Sequence, residues 1–147
     1  MIRALTVVVC IPVLLAACAA APADSSKTPK SCFHRNEKVE ADIGYCEAIR
    51  IGNTLHISGT VGQGEMPSAI HSAYDAIKAT LAANGLEFRH VVKENVFATD
   101  LDAFIRNKDI RKEYYGTDFP SATWVQVQRL YLPAFVVEVE VTAEYPK

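Results

Sequence analysis

The sequence predicts an α+β fold: one mixed sheet with two helices on one of its faces, in the order β-β-α-β-α-β-β. Three observations carry it. Apolar residues recur at steps of three and four in two stretches, Ile70 to Leu81 and Leu101 to Tyr114, which is the spacing of amphipathic helices. Strand composition surrounds them, most plainly near the C-terminus. There Val137, Val139 and Val141 fall on one face of a strand, and Glu138, Glu140 and Thr142 on the other. Gly52-Asn53 separates two alternating runs, the signature of a hairpin.

The 147 residues suffice for one domain, and its elements come after an N-terminal export segment. Arg3 precedes an apolar run, Ala4 to Ala17, that has the length of a signal peptide and is too short for a comfortable membrane span. It ends in Leu-Leu-Ala-Ala-Cys at 14–18, a pattern similar to a bacterial lipobox. This predicts a signal peptide at 1–17 and a lipidated Cys18 that anchors the chain in the bilayer. An ordinary signal cut near Ala21 or Ala23 is the other reading. Ala19, rather than Asp, follows the cysteine and favours the outer membrane, facing the periplasm. Residues 18–36 read as the lipidated cysteine and a flexible tether, and 37–147 as the folded domain. Cys32 and Cys46 then remain in a compartment that permits disulfides, either bridged or as two free thiols. A bridge would contribute about 3 kcal/mol at most.

Within the domain, Tyr45 to Gly59 reads as the hairpin. The following Val-Gly-Gln-Gly-Glu-Met-Pro lacks the features of a phosphate cradle and reads as a plain loop. A helix runs from Pro67 to Asn84-Gly85, with Ile70, Ala73, Tyr74, Ile77 and Leu81 on its inner stripe. A strand covers His90 to Asp100. Asp100 caps a second helix through Leu101, Phe104 and Tyr114, ended by Gly116. The next strand starts after Pro120 and offers Ala122, Trp124, Gln126 and Gln128 on one face, with Thr123, Val125, Val127 and Arg129 on the other. Leu132-Pro133 separates it from the last strand. With both helices on one face, the other face is left bare, which predicts homo-oligomers.

Composition excludes some functions. A net charge of −2 offers no basic surface for nucleic acid. His34, His56, His71 and His90 have no partners at telling spacing and read as structural or surface residues, with no metal and no cofactor.

Several segments in register carry a family likeness: Ile-Gly-Tyr at 43–45, 51–59, 82–104, Phe-Pro at 119–120, 125–130 and 137–143. Together, over about 42–143, they resemble the Rid family, the YjgF-type imine deaminases also labelled endoribonuclease L-PSP. The resemblance implies a chorismate-mutase-like homotrimer whose sheets line a central barrel, with small-molecule pockets between subunits. It also implies hydrolysis of enamines or imines to carbonyl compounds and ammonia without a cofactor.

By that resemblance Tyr45 and Glu138 are the catalytic candidates, and Gly59, Ala122, Trp124 and Lys108 line the substrate site. Ala122 stands where the family places an arginine that holds the substrate carboxylate, and Trp124 replaces a small residue. Lys108 aligns with an asparagine of the second helix. Arg50, Lys108 or Arg111 of a neighbouring subunit could supply the missing charge. Each residue also has a plainer reading: Tyr45 as a rim residue, Glu138 as a solvated strand carboxylate like Glu140, Trp124 as interface packing. Two functions therefore stand: an enamine or imine deaminase with altered substrate range, or a non-enzymatic envelope lipoprotein that binds a metabolite or a partner.

Overall fold

The computed structural model describes residues 28–147. The signal peptide expected at 1–17, the lipidation expected at Cys18 and the expected tether as far as Lys27 lie outside the described residues. No helix among those described is long and apolar enough to cross a membrane.

Six strands form one mixed sheet in the order β1-β2-β3-β6-β4-β5. They are β1 (Lys30–Phe33), β2 (Ala48–Ile51), β3 (Thr54–Gln63), β4 (Val91–Ala98), β5 (Ser121–Gln126) and β6 (Phe135–Glu144). All neighbours are antiparallel except β4 and β5, which run parallel. The helices are α1 (Glu37–Ile43), α2 (Met66–Ala83), α3 (Leu101–Arg106) and α4 (Asp109–Tyr115). The α+β class and the mixed sheet are as read from the sequence.

The core lies between the sheet and α2. Pro67 stands in the first turn of α2, where its missing N–H costs nothing. The predicted stripe of Ile70, Ala73, Tyr74, Ile77 and Leu81 is fully buried, and Ala69 is buried with it. Each large apolar side chain so buried contributes roughly 1.5–3 kcal/mol. From the sheet, Val137, Val139 and Val141 meet this stripe, all nearly inaccessible. Gly62 lets β3 approach α2, because a Cβ there would run into the backbone of Ala69.

Three features differ from the sequence reading. Part of the stretch read as tether is folded: β1 pairs with β2, Cys32 opposite Ile49, so the ordered chain starts before residue 37. α1 follows at once, its N-terminus capped by Asn36, whose Oδ1 accepts from the Val39 amide at 3.3 Å. The predicted second helix is two helices. Asn107 turns its Nδ2 back onto the Ala103 carbonyl at 2.8 Å and closes α3, and the chain restarts as α4.

Candidate active site

Tyr45, Gly59 and Glu138 line one cleft of about 520 Å³. Val39 and Ile43 of α1, with Leu132 and Phe135, give it an apolar wall. Local rules explain the meeting. α1 ends at Gly44 with φ 94°, a left-handed turn that suits glycine and delivers Tyr45 to the cleft. The β3–β6 register slips between Ile57 and Thr60, leaving Ser58 and Gly59 outside the ladder. Ser58 Oγ donates to the Cys46 carbonyl at 2.7 Å, which fixes the bulge against the entry to β2. A Cβ at position 59 would overlap the Glu138 carboxylate and lie 2.8 Å from its Cγ.

Glu138 sits opposite Val61 on one side and Phe97 on the other, on the sheet face away from α2. Burial, and then the neighbouring Glu140, raise its carboxyl above the usual carboxylate value. Partial burial, then Glu40 and Glu47, raise the Tyr45 hydroxyl against an opposing pull from Arg35, so it stays a proton donor at neutral pH. An acid–base group and a donor in an apolar cleft suit proton transfers on a small substrate.

A second groove of about 450 Å³ adjoins the cleft and shares Glu138 and Tyr131 with it; Arg129 and Glu140 also line this groove. β5 ends at Gln126, and Val127 and Arg129 beyond it stay on the side of Val125, the face that carries Phe97 and Glu138. Its Nε donates to the Leu130 carbonyl at 3.2 Å.

Within one chain Ala122 and Trp124 lie apart from Glu138; the pocket expected to bring them together lies between subunits. Ala122 pairs with Glu94 and Trp124 with Val96, whereas Glu138 pairs with Phe97. Alternate residues of β4 point to opposite faces, so Ala122 and Trp124 lie on the helix side and Glu138 on the bare side. Trp124 packs inside its own chain. Its Nε1 donates to Glu94 Oε1 at 3.1 Å, and its ring meets Phe104 edge-on at 5.2 Å.

The three cations considered as replacements are also located. Arg50 lies over the Tyr145 ring at 3.9 Å. Arg111 is buried and pairs with Glu94. Lys108 is exposed at the junction of α3 and α4. None of the three lines the cleft or groove that contains Glu138.

Sequence reasoning missed Glu94, which has no exposed surface. Its Oε2 accepts from Tyr74 Oη at 2.8 Å, and its Oε1 from Arg111 Nε and Trp124 Nε1, both at 3.1 Å. The signal was its place two residues before Val96 and four before Ala98, on the inward face. Among the described residues one group of metal-type ligand atoms comes together, from Cys32, His34 and Cys46 within 4.8 Å. Cys32 and Cys46 are joined as a disulfide, so the group offers one free imidazole, which does not fit a resident ion.

Comparison with known proteins gives the family and the fold. The family model described as Endoribonuclease L-PSP matches residues 36–145. A 2-iminobutanoate/2-iminopropanoate deaminase of Dermatophagoides farinae is 30% identical over 95 residues, 58% of this chain and 74% of that protein. The RutC family protein YjgH of Escherichia coli is 30% identical over 115 residues, 73% of this chain and 87% of that protein. Among solved structures, a member of the YjgF/YER057c/UK114 family from Mycobacterium tuberculosis superposes with a TM-score of 0.73 at 24% identity, covering 80% of this chain and all of that one.

Proposed function

The chain belongs to the endoribonuclease L-PSP family, also called the Rid or YjgF family, and on that premise we propose that it hydrolyses imines or enamines to carbonyl compounds and ammonia. The observation that carries this reading is the convergence of Tyr45, Gly59 and Glu138 on one cleft, with the Glu138 carboxyl perturbed upward.

The chemistry is water addition followed by loss of ammonia. The Glu138 carboxylate takes a proton from water as the water oxygen adds to the carbon of the protonated imine, giving a neutral carbinolamine. Glu138 passes that proton to the amino nitrogen, the C–N bond breaks with loss of ammonia, and the hydroxyl proton returns to the Glu138 carboxylate as the C=O bond forms; an enamine enters as its imine tautomer. Tyr45 donates a hydrogen bond to the polar group of the substrate, and the apolar wall keeps bulk water out. No cofactor is needed, because the substrate carries its own leaving group.

Ala122 cannot hold a carboxylate, so the substrate range differs from that of family members with arginine there. Arg129, beside Glu138 in the adjoining groove, is the cation we assign to the carboxylate of an imino acid. The bare sheet face, with exposed Val125, and the exposed Tyr131 and Leu132 suit packing against other copies in a homotrimer. Export and anchoring through Cys18 would set this trimer at the envelope.

Ammonia release from imines generated in situ by an amino-acid oxidase tests the reading. Wild type should exceed the uncatalysed rate at least tenfold, and Glu138→Gln should fall to background. Equal rates for the two would remove the enzymatic reading. The loss of the family arginine favours a second reading, a binding protein without turnover. Calorimetric binding of neutral or aromatic metabolites, without ammonia release, would select it.

A further inference from the structure

The disulfide between Cys32 and Cys46 has a neighbourhood that a staple does not need. His34 Nε2 stands 2.9 Å from Cys32 Sγ, and His34 Nδ1 stands 2.6 Å from Glu40 Oε2. Glu40 is buried, and it accepts from three backbone amides: Arg35 at 2.9 Å, Asn36 at 2.7 Å and Glu47 at 3.1 Å. Burial alone would raise its carboxyl, but these bonds and His34 outweigh it and hold the carboxyl below its usual value.

A carboxylate so fixed is an acceptor only. Nδ1 of His34 is therefore the nitrogen that donates to Glu40, and Nε2 faces the sulfur of Cys32. The result is a line of carboxylate, imidazole and sulfur, ending at an exposed Cys32 with a half-buried Cys46 behind it. This is the arrangement that activates a thiol for attack on another sulfur.

We propose that Cys32 and Cys46 form a thiol–disulfide exchange centre, in which Cys32 attacks, His34 is its base, Glu40 positions His34, and Cys46 resolves. The substrate class is an accessible disulfide of a small thiol or a peptide, and a dithiol donor returns the pair to its reduced form. In the reduced protein His34 Nε2 takes the Cys32 proton. The thiolate attacks one sulfur of the substrate disulfide, forming a mixed disulfide, and the other sulfur leaves as a thiolate that takes the proton from His34. Cys46 then gives its proton to His34 or water and attacks Cys32 Sγ, re-forming the intramolecular bond, and the second substrate sulfur leaves as a thiolate that takes up that proton. Two electrons pass from the protein to the substrate, and one disulfide is exchanged for another.

The charged and titratable neighbours are His34, Glu40 and Glu47, with Arg35 3.6 Å from Glu47, Tyr45 next to Cys46, and Arg50 opposite Ser31 across β1 and β2. The test uses the full chain, reduced with dithiothreitol and alkylated with iodoacetamide between about pH 6 and pH 8. Rates are read cysteine by cysteine by mass spectrometry; trypsin releases Cys32 in the peptide Ser31–Arg35. An ordinary thiol loses roughly a hundredfold in rate over that range. Cys32 should lose less than about threefold, Cys46 should behave ordinarily, and His34→Gln should restore the steep dependence at Cys32. In Cys46→Ser, oxidised glutathione should form a stable adduct on Cys32. An ordinary profile at Cys32, no effect of His34→Gln, or loss of the native circular dichroism on reduction would each overturn the proposal.

Discussion

Gly59 and Glu138 approach so closely that only a residue without a side chain fits opposite the carboxylate: a Cβ at 59 would lie 2.7 Å from Glu138 Cδ. Gly59→Ala would thus push aside the flexible end of one side chain and leave the backbone in place. The expected result is a loss of imine hydrolysis of more than tenfold with a small change in Tm. Gly62→Ala gives the contrast, because its Cβ would meet the backbone of Ala69 in α2, which cannot step aside. That variant should lose about 1–3 kcal/mol of stability, read by urea unfolding.

The Glu138 carboxyl makes stability and activity depend on pH in opposite senses. Burial and Glu140 raise it above its ordinary value of 4.5. The folded chain then binds this proton more tightly than the unfolded chain does. Its contribution favours folding below about pH 4.5 and is lost as pH rises through the raised value. Glu138→Gln should therefore melt higher than wild type at pH 7, with the gap closing near pH 4. Hydrolysis needs the ionised form, so kcat/KM of wild type should climb with pH through an apparent pKa above 4.5.

Arg111 supports the fold rather than the cleft. It is paired with a Glu94 that has no exposed surface, and its guanidinium lies 5.2 Å from the Trp124 ring centre and 4.9 Å from that of Tyr115. Removing one partner strands a buried charge, at a cost of about 3–5 kcal/mol. Arg111→Leu should show that loss in urea unfolding. Adding Glu94→Gln should recover part of it, since the amide oxygen still accepts from Trp124 while the charge is gone.

What was legible in the sequence had a strong period or an invariant geometric reason. The stripe of α2 and the Val137–Val141 alternation of β6 could be read because each repeats several times. β1 could not, because four residues carry too little pattern and are held by β2; α1 could not, because seven residues make barely two turns of pattern. Tyr45, Gly59 and Glu138 were found through the family resemblance, and their meeting follows from a bulge that no residue of β3 announces. For Trp124 the alignment supplies a role without a direction. The parallel pairing of β5 with β4 turns that ring toward Glu94. Strand alternation puts Arg129 with Thr123, Val125 and Val127, the face that also carries Glu138, so the strand pattern held this cation once the faces were assigned.

In the proposed hydrolase, Arg129 is the residue that would set substrate range. It stands in the groove that contains Glu138, with only its Nε engaged, to the Leu130 carbonyl. A guanidinium beside the reacting carbon can take a carboxylate through two N–H donors, a contact that lysine matches only as a point charge. Arg129→Ala should raise KM for an imine that bears a carboxylate by about ten- to a hundredfold, the equivalent of roughly 1.4–2.7 kcal/mol. Arg129→Lys should recover part of that. An uncharged imine should be hydrolysed equally well by all three proteins, because its binding never used the charge. Equal effects on both substrates would mean that Arg129 shapes the groove through packing alone, and that the carboxylate is held from a neighbouring subunit.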